Sequence, residues 1–264
     1  MKKYIEVLKT AIKKEMVYKF DFLIFSISGI IFISVFYFLW TSIYTYNNLQ
    51  TIGGLSLKEM ITYMAMSVII MFAGYSNTDR KAYWDINKNA ITNILTKPLD
   101  IQNYIFSRDI ADNFLSVIFS ILPTLIFAVL IFNIFVPPLQ TLLLFFISTI
   151  LSILTSFSLA FLVWLTAFWT EQTRGIRRFK EIIIDFFAGS FLPLYLFPDW
   201  LKNIALLLPF KSISHIPLSI YIGKIHGIDI IYAITQQIFW IVVFFYIGKF
   251  LFKKARKKYS AHGG

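Results

Sequence analysis

Phe22-Leu23-Ile24-Phe25-Ser26-Ile27-Ser28-Gly29-Ile30-Ile31-Phe32-Ile33-Ser34-Val35-Phe36-Tyr37-Phe38-Leu39-Trp40 runs without a single charged residue. A helix of this length rises about 28 Å at 1.5 Å per residue, close to the roughly 30 Å of a bilayer's hydrocarbon core. Lipid offers the backbone no hydrogen-bond partner, so a segment this apolar must satisfy itself as a helix. A membrane β-barrel would instead show short segments of strict apolar and polar alternation, and the chain has none. The apolar run begins only after Lys19 and Asp21, and no small-residue cleavage site follows Trp40, so it reads as a retained first span rather than a signal peptide.

Working outward, similar blocks recur at about Met60–Tyr75, Ala111–Phe135, Thr141–Trp169, Ile182–Phe197 and Ile230–Phe252. The expectation is an all-α polytopic membrane protein with about six transmembrane helices, forming a single domain over residues 1–264. Composition agrees. The chain is 58% hydrophobic and only 15% charged, whereas a water-facing surface takes roughly 25% charged residues. Pro123 should kink the third span. The turn Val136-Pro137-Pro138-Leu139-Gln140 should make the third and fourth spans an antiparallel hairpin. The fourth span is longer than the core needs and should tilt or project. The fifth is short and carries Gly189 and Pro193.

Two flanking segments are amphipathic rather than spanning. In residues 1–19, Tyr4, Leu8, Ala11, Ile12 and Met16 fall at helical spacing between six lysines, which predicts an interfacial helix with its lysines toward headgroups; a solvated tail is the alternative. Residues 198–228 are too apolar for an ordinary loop and too short between prolines to span, which predicts two re-entrant or interfacial helices broken at Pro209 and Pro217.

The net charge of +11 is distributed unevenly. Residues 1–19 hold six Lys and Arg, 76–110 hold five, 170–181 hold four, and the chain from Lys249 onward holds six, 21 in all; the opposite side holds Lys58, Lys202, Lys211 and Lys224, a total of 4. The positive-inside rule then puts both termini and the loop over 76–110 in the cytoplasm. Basic residues placed where helices leave the membrane read as topology signals and contacts with anionic lipid, so nucleic acid is not an expected partner. There is no cysteine, which removes disulfides, thiol catalysis and cysteine-ligated metals.

The chain has no phosphate-binding loop, since Gly248-Lys249 lacks the first glycine, and no His-Glu-x-x-His; its three histidines are scattered over predicted loops. No cofactor, metal or catalytic residue is therefore expected in it, and a membrane-embedded enzyme lacks a nucleophile with its base. Glu181 and Asp185 lie one turn apart, with Arg177 and Arg178 a turn earlier, at the start of the fifth span. They are a candidate cytoplasmic gate or relay, or else a helix-start ladder of carboxylates paired with arginines. Gln236, Gln237, Ser152, Thr155, Ser156 and Ser158 can hydrogen-bond between helices, serving packing or a substrate path.

The loop over 76–110 is the most informative. From Asp85 to Asp100 the pattern predicts a short amphipathic helix with Ala90, Ile91, Ile94 and Leu95 on one face and Pro98 at its end. That stripe must bury itself on the membrane, on its own chain or on a soluble partner.

The run Ile94-Leu95-Thr96-Lys97-Pro98-Leu99-Asp100 resembles the Leu-x-Lys/Arg-Pro element in the first cytoplasmic loop of bacterial ABC type-2 exporter permeases. Phe168-Trp169-Thr170-Glu171, Gly175-Ile176-Arg177-Arg178, Gly189 to Leu194, Phe197-Pro198-Asp199-Trp200-Leu201 and Leu208-Pro209-Phe210 resemble one branch of that family in order and spacing. The resemblance implies a permease subunit of the bacterial cytoplasmic membrane without its own ATP site. It implies two copies of a separate ATP-binding cassette subunit, carrying ATP and Mg, and a second permease, identical or paralogous. It assigns coupling to the segment with Asp85, Ile91, Ile94, Leu95, Lys97 and Pro98. It also assigns an outer gate to the re-entrant segment with Pro193, Pro198, Trp200 and Pro209. Drugs, antimicrobial peptides and lipids are all substrates consistent with it. A stand-alone channel or ion-coupled carrier is the alternative, and the scarcity of charges inside the spans speaks against it.

Overall fold

The computed structural model describes residues 2–87, 91, 99–170 and 172–262. The all-α expectation holds. Among the described residues, five helices are long and apolar enough to cross a membrane: Phe20–Tyr46, Leu57–Gly74, Ile101–Phe132, Leu139–Thr166 and Ile228–Lys257. They belong to α2 (Lys19–Tyr46), α3 (Leu57–Gly74), the pair α4 (Ile101–Ser116) and α5 (Leu122–Phe132), α6 (Leu139–Thr166), and α10 (Ile228–His262).

The middle of the bundle is α3. It is the least apolar of the five and also the most buried, and every residue from Met60 to Ile70 is out of contact with the surroundings. A helix enclosed by protein need not match lipid, so α3 carries Thr62, Tyr63 and Ser67, each hydrogen-bonded to a neighbour. The outer helices α2, α5, α6 and α10 turn Ile27, Ile31, Leu130, Leu143 and Phe239 outward, as lipid contact requires. Gly29 lets α2 approach closely: a Cβ there would lie 2.5 Å from the Phe72 ring and 3.2 Å from Thr124.

Pro123 acts as expected. The α4 helix widens into one π-helical turn, Val117–Ile121, and α5 restarts with the proline in its first turn, where its missing N–H costs nothing. Ser120 in the wide turn donates to the Phe22 carbonyl of α2 at 2.8 Å. Asn133, in left-handed conformation, ends α5. Between α2 and α3 lies a two-stranded hairpin, β1 (Thr51–Ile52) and β2 (Leu55–Ser56), turned by Gly53 and Gly54 at positive φ. Ser56 and Glu59 form a reciprocal cap that starts α3.

The fifth expected span, Ile182–Phe197, is not one helix. Helix α7 (Arg174–Phe187) begins inside the basic stretch and stops before Gly189, whose φ of +74° lies in the left-handed region that favours glycine. The chain nevertheless crosses. Lys180 pairs with Asp79 at the end of the bundle that gathers the basic segments, and Lys224 pairs with Glu59 and the Gly54 carbonyl at the hairpin end. Between them the path is composite. After α7 a 3-10 turn (Leu194–Leu196) reaches the hairpin, where Gly53 packs on Tyr195 and Leu196. Helix α8 (Asp199–Leu207) follows, and the chain turns back to mid-bundle at Ser212, bonded to the middles of α6 and α10. Helix α9 (His215–Tyr221) then returns to the hairpin end. Two short helices over 198–228 were expected, and Pro209 lies between them; Pro217 falls inside α9 instead of breaking it, within its first turn.

Helix α1 (Lys2–Glu15) is amphipathic as expected, but Tyr4, Leu8, Ala11 and Ile12 face α4 and are half-buried there. Tyr4 accepts a hydrogen bond from the Asp100 N–H at 3.0 Å.

Candidate coupling and gating site

Asp85 lies in a π-helical turn, Tyr83–Asn87, directly after the 3-10 turn Thr78–Lys81 that leaves α3. Arg108 of α4 donates one Nη to both oxygens of Asp85, at 3.0 and 3.1 Å, and Trp164 of α6 donates its indole N–H at 3.0 Å. The carboxylate is 6% exposed; a charge that deeply buried persists only with a partner charge and filled lone pairs, and it has both. The loop is thereby pinned to α4 and α6 together. The expected apolar stripe divides. Ile91 is fully buried against its own chain, in a cluster with Ile86, Ile105, Phe161, Trp164 and Leu165, so it offers nothing to a partner. Ile94, Leu95, Lys97 and Pro98 lie outside the described residues. Tyr83 and Trp84 are exposed beside the anchor.

Three of the four residues expected as a cytoplasmic gate, Arg177, Arg178 and Glu181, form one ion-paired group. Glu181 accepts from Arg177 at 3.1 Å and from Arg178 at 3.2 Å, the ladder spacing of one helix face. Helix α7 turns its polar face inward and Phe179, Ile182 and Phe186 outward, the reverse of a helix in water. The inward face closes one wall of a cavity of about 470 Å³. Arg178, Glu181 and Asp185 line it, together with Tyr75 and Lys81; Arg177 does not reach it.

Around that cavity the charges are paired. Lys180 lies 2.6 Å from Asp79 Oδ2, an ion pair whose angle falls short of an aligned hydrogen bond. Lys81 contacts Asp112 at 2.7 Å and Glu15 at 3.0 Å, tying α1, the loop and α4. Burial raises the Asp79 carboxyl above the usual range although Lys180 opposes this. Burial lowers the Lys81 ammonium, but Asp112 and then Glu15 outweigh it and leave it raised. Beneath them Asp109 accepts from Ser76 at 2.6 Å and Thr78 at 3.1 Å. Asp79, Lys81, Arg108 and Asp112 had not been singled out in the sequence. The available signal was three charges, Arg108, Asp109 and Asp112, within five residues, just before an apolar run.

The candidate outer-gate residues do not converge on one point. Pro193 is buried and Pro198 exposed, each immediately preceding a short helix; Pro209 is buried at the start of the turn to Ser212, and Trp200 is exposed on α8. The prolines set where each short helix begins. What holds the segment is a set of hydroxyls and amides. Gln237 is fully buried and donates to the carbonyls of Ser148 and Ser212 at 3.1 and 2.8 Å. Ser152 donates to the Ser212 carbonyl at 2.9 Å, Ser67 to the Ser190 carbonyl at 2.9 Å, and Tyr63 to the Gly189 carbonyl at 3.0 Å. Ser156 accepts from the Ser76 N–H, while Thr155 and Ser158 only return to their own helix.

No curated protein matches the chain. The family model described as ABC-2 family transporter protein matches residues 30–263, nearly the whole length, covering every site residue above except Glu15. The all-α bundle with five long apolar helices agrees with a membrane transport subunit, and the match over nearly the whole chain shows that it belongs to the ABC-2 transporter family.

Proposed function

We propose that the chain is the permease subunit of an ATP-driven exporter, paired with a second permease and worked by two copies of a separate ATP-binding subunit that carries ATP and Mg. The observation that carries this reading is the family match over residues 30–263. The charge distribution supports a cytoplasmic basic end, with both termini there, in a bacterial inner membrane. The anchor at Asp85 supports coupling through the loop over 76–110: motion imposed on the loop passes to α4 through Arg108 and to α6 through Trp164. Leu95 and Ile94, with exposed Trp84 near the anchor, supply the apolar contact for the partner.

Reconstitution with the ATP-binding subunit tests this. The permease should stimulate hydrolysis well above the ATP-binding subunit alone. Leu95→Asp should insert normally yet abolish that stimulation, because a carboxylate at an apolar contact is buried without a partner. A Leu95→Asp complex that assembles and hydrolyses like the wild type would sink the coupling role. Sidedness is read separately: a cysteine at Asn47 should react with an impermeant thiol reagent in intact cells, and one at Thr173 should not.

A further inference from the structure

We infer that the cavity between α2, α3 and the end of α5, beside the hairpin, is a binding site for one phospholipid, with its phosphate on Lys58 and an acyl chain along the apolar wall. The inference goes beyond the exporter reading and needs only that the chain spans a membrane. At about 340 Å³ the cavity has the size of a small-molecule site. Its wall is apolar, with Leu57 and Ile61 from α3, Phe132 at the end of α5 and Ile134 just beyond it. Tyr37 of α2 stacks on Phe132 with ring centroids 4.4 Å apart, which joins α2 to that wall. Phe38, Ile131 and Phe135, each next in sequence to a lining residue, are exposed on the outside of the bundle, where lipid lies. The level fits a headgroup, since α3 begins and α5 ends here.

The polar part of the lining is the Lys58 ammonium, the Asn133 amide and the Tyr37 hydroxyl, all three able to donate. Among the described residues none of these tips is hydrogen-bonded or ion-paired, and no carboxylate lines the cavity. Nothing in the fold calls for the lysine. Lys58 is the second residue of α3, where the positive end of the helix disfavours a cation. Glu59 follows it directly, but adjacent residues of a helix do not face each other, and Glu59 is held by Ser56 and Lys224. Topology does not call for it either, because it lies on the side poor in Lys and Arg. An anion is the missing partner, and a phosphate can take protons from all three donors. A free phosphate would leave the apolar wall to water; a phosphate that carries an acyl chain satisfies both halves of the cavity.

Three ligands separate the parts of this site: phosphatidylglycerol, diacylglycerol with the same chains but no phosphate, and glycerol phosphate with no chains. Each is titrated onto the delipidated full chain in a neutral detergent and counted by native mass spectrometry. One phosphatidylglycerol should be retained saturably, and neither of the other two should be. Lys58→Ala should weaken that retention roughly tenfold, the loss of one charge-assisted contact. The melting midpoint of the lipid-free protein should not fall, because the variant only removes a cation from a helix start. Lys58→Arg should keep most of the affinity. Asn133→Gly, which preserves the left-handed turn, should weaken it less than Lys58→Ala does, and Lys202→Ala, outside the cavity, should leave it unchanged. Equal retention of phosphatidylglycerol and diacylglycerol, or retention unaffected by Lys58→Ala, overturns the proposal. So does equally tight binding of glycerol phosphate, which would make this a site for free phosphate. The assay needs no ATP-binding subunit, so its outcome and that of Leu95→Asp are independent.

Discussion

Helix α6 and residues 174–228 both traverse the bundle, and they solve the same problem in opposite ways. Helix α6 does it with 28 residues in one continuous turn-by-turn ladder, so its backbone needs nothing from its neighbours. The composite crossing breaks at Gly189, Leu208 and Ser214 and leaves carbonyls at mid-bundle that no helix of its own can reach. Neighbours supply the donors: Tyr63 and Ser67 from α3, Ser152 from α6, Gln236 and Gln237 from α10. A crossing held by side chains of three other helices shifts when they shift, whereas α6 moves only as a rod. That difference makes the composite crossing depend on its neighbours for hydrogen bonds in a way that α6 does not.

The comparison breaks if the borrowed donors prove dispensable. Gln237→Leu gives the strongest test, because the amide accepts from Ser148 Oγ and shares its protons among three acceptors, all buried. Leucine fills the volume but leaves Ser148 Oγ without its acceptor and takes a donor from Ser152 Oγ and from the Ser148 and Ser212 carbonyls, which keep Ser152. Roughly 2–3 kcal/mol of stability should be lost, visible as a lower thermal unfolding midpoint in detergent. Gly189→Ala comes next. A Cβ would lie 3.0 Å from the Tyr63 hydroxyl and 3.1 Å from Leu194 Cγ at a left-handed φ, so about 1–2 kcal/mol should be lost through strain. Replacing Gly175, which has open space around its Cβ position and no positive φ, should cost nothing comparable.

How far this was readable in the sequence differs by region in the same way. The continuous spans are written in composition alone, because lipid contact demands unbroken apolar runs, and Pro123 announces its own irregularity. The break after Phe187 is not written so plainly. Ile182–Phe197 passes as a span by composition, and only the left-handed φ at Gly189, imposed by the packing of Tyr63 and Leu194, stops the helix. Gly53-Gly54 and Ser56-x-x-Glu59 are turn and cap signals legible in the sequence itself. Arg177, Arg178, Glu181 and Asp185 were identifiable as a cluster because their spacing is local. The partners of Asp85 were not, since Arg108 and Trp164 stand 23 and 79 residues away. Ile91 was expected on a stripe that buries itself, and periodicity can say that a face is buried without saying against what.

The smallest expected effect sharpens the comparison most, because it uses one helix and one residue type. Ser152 and Ser158 are both buried on α6. Ser158 donates to the Leu154 carbonyl, one turn back, at 2.8 Å and reaches no other element. That carbonyl already accepts a backbone N–H in the helix, so removing the hydroxyl leaves nothing unpaired, and Ser158→Ala should change stability by less than about 0.5 kcal/mol. Ser152 also donates to its own helix, at 3.0 Å, but it reaches the Ser212 carbonyl at 2.9 Å and accepts from Gln237 at 3.3 Å. Ser152→Ala should therefore cost about 1 kcal/mol, in the range of interhelical hydrogen bonds within membranes. It should also speed amide hydrogen exchange around Ser212 while leaving α6 itself protected. Equal effects of the two substitutions on both readouts would mean that the composite crossing is held by packing alone.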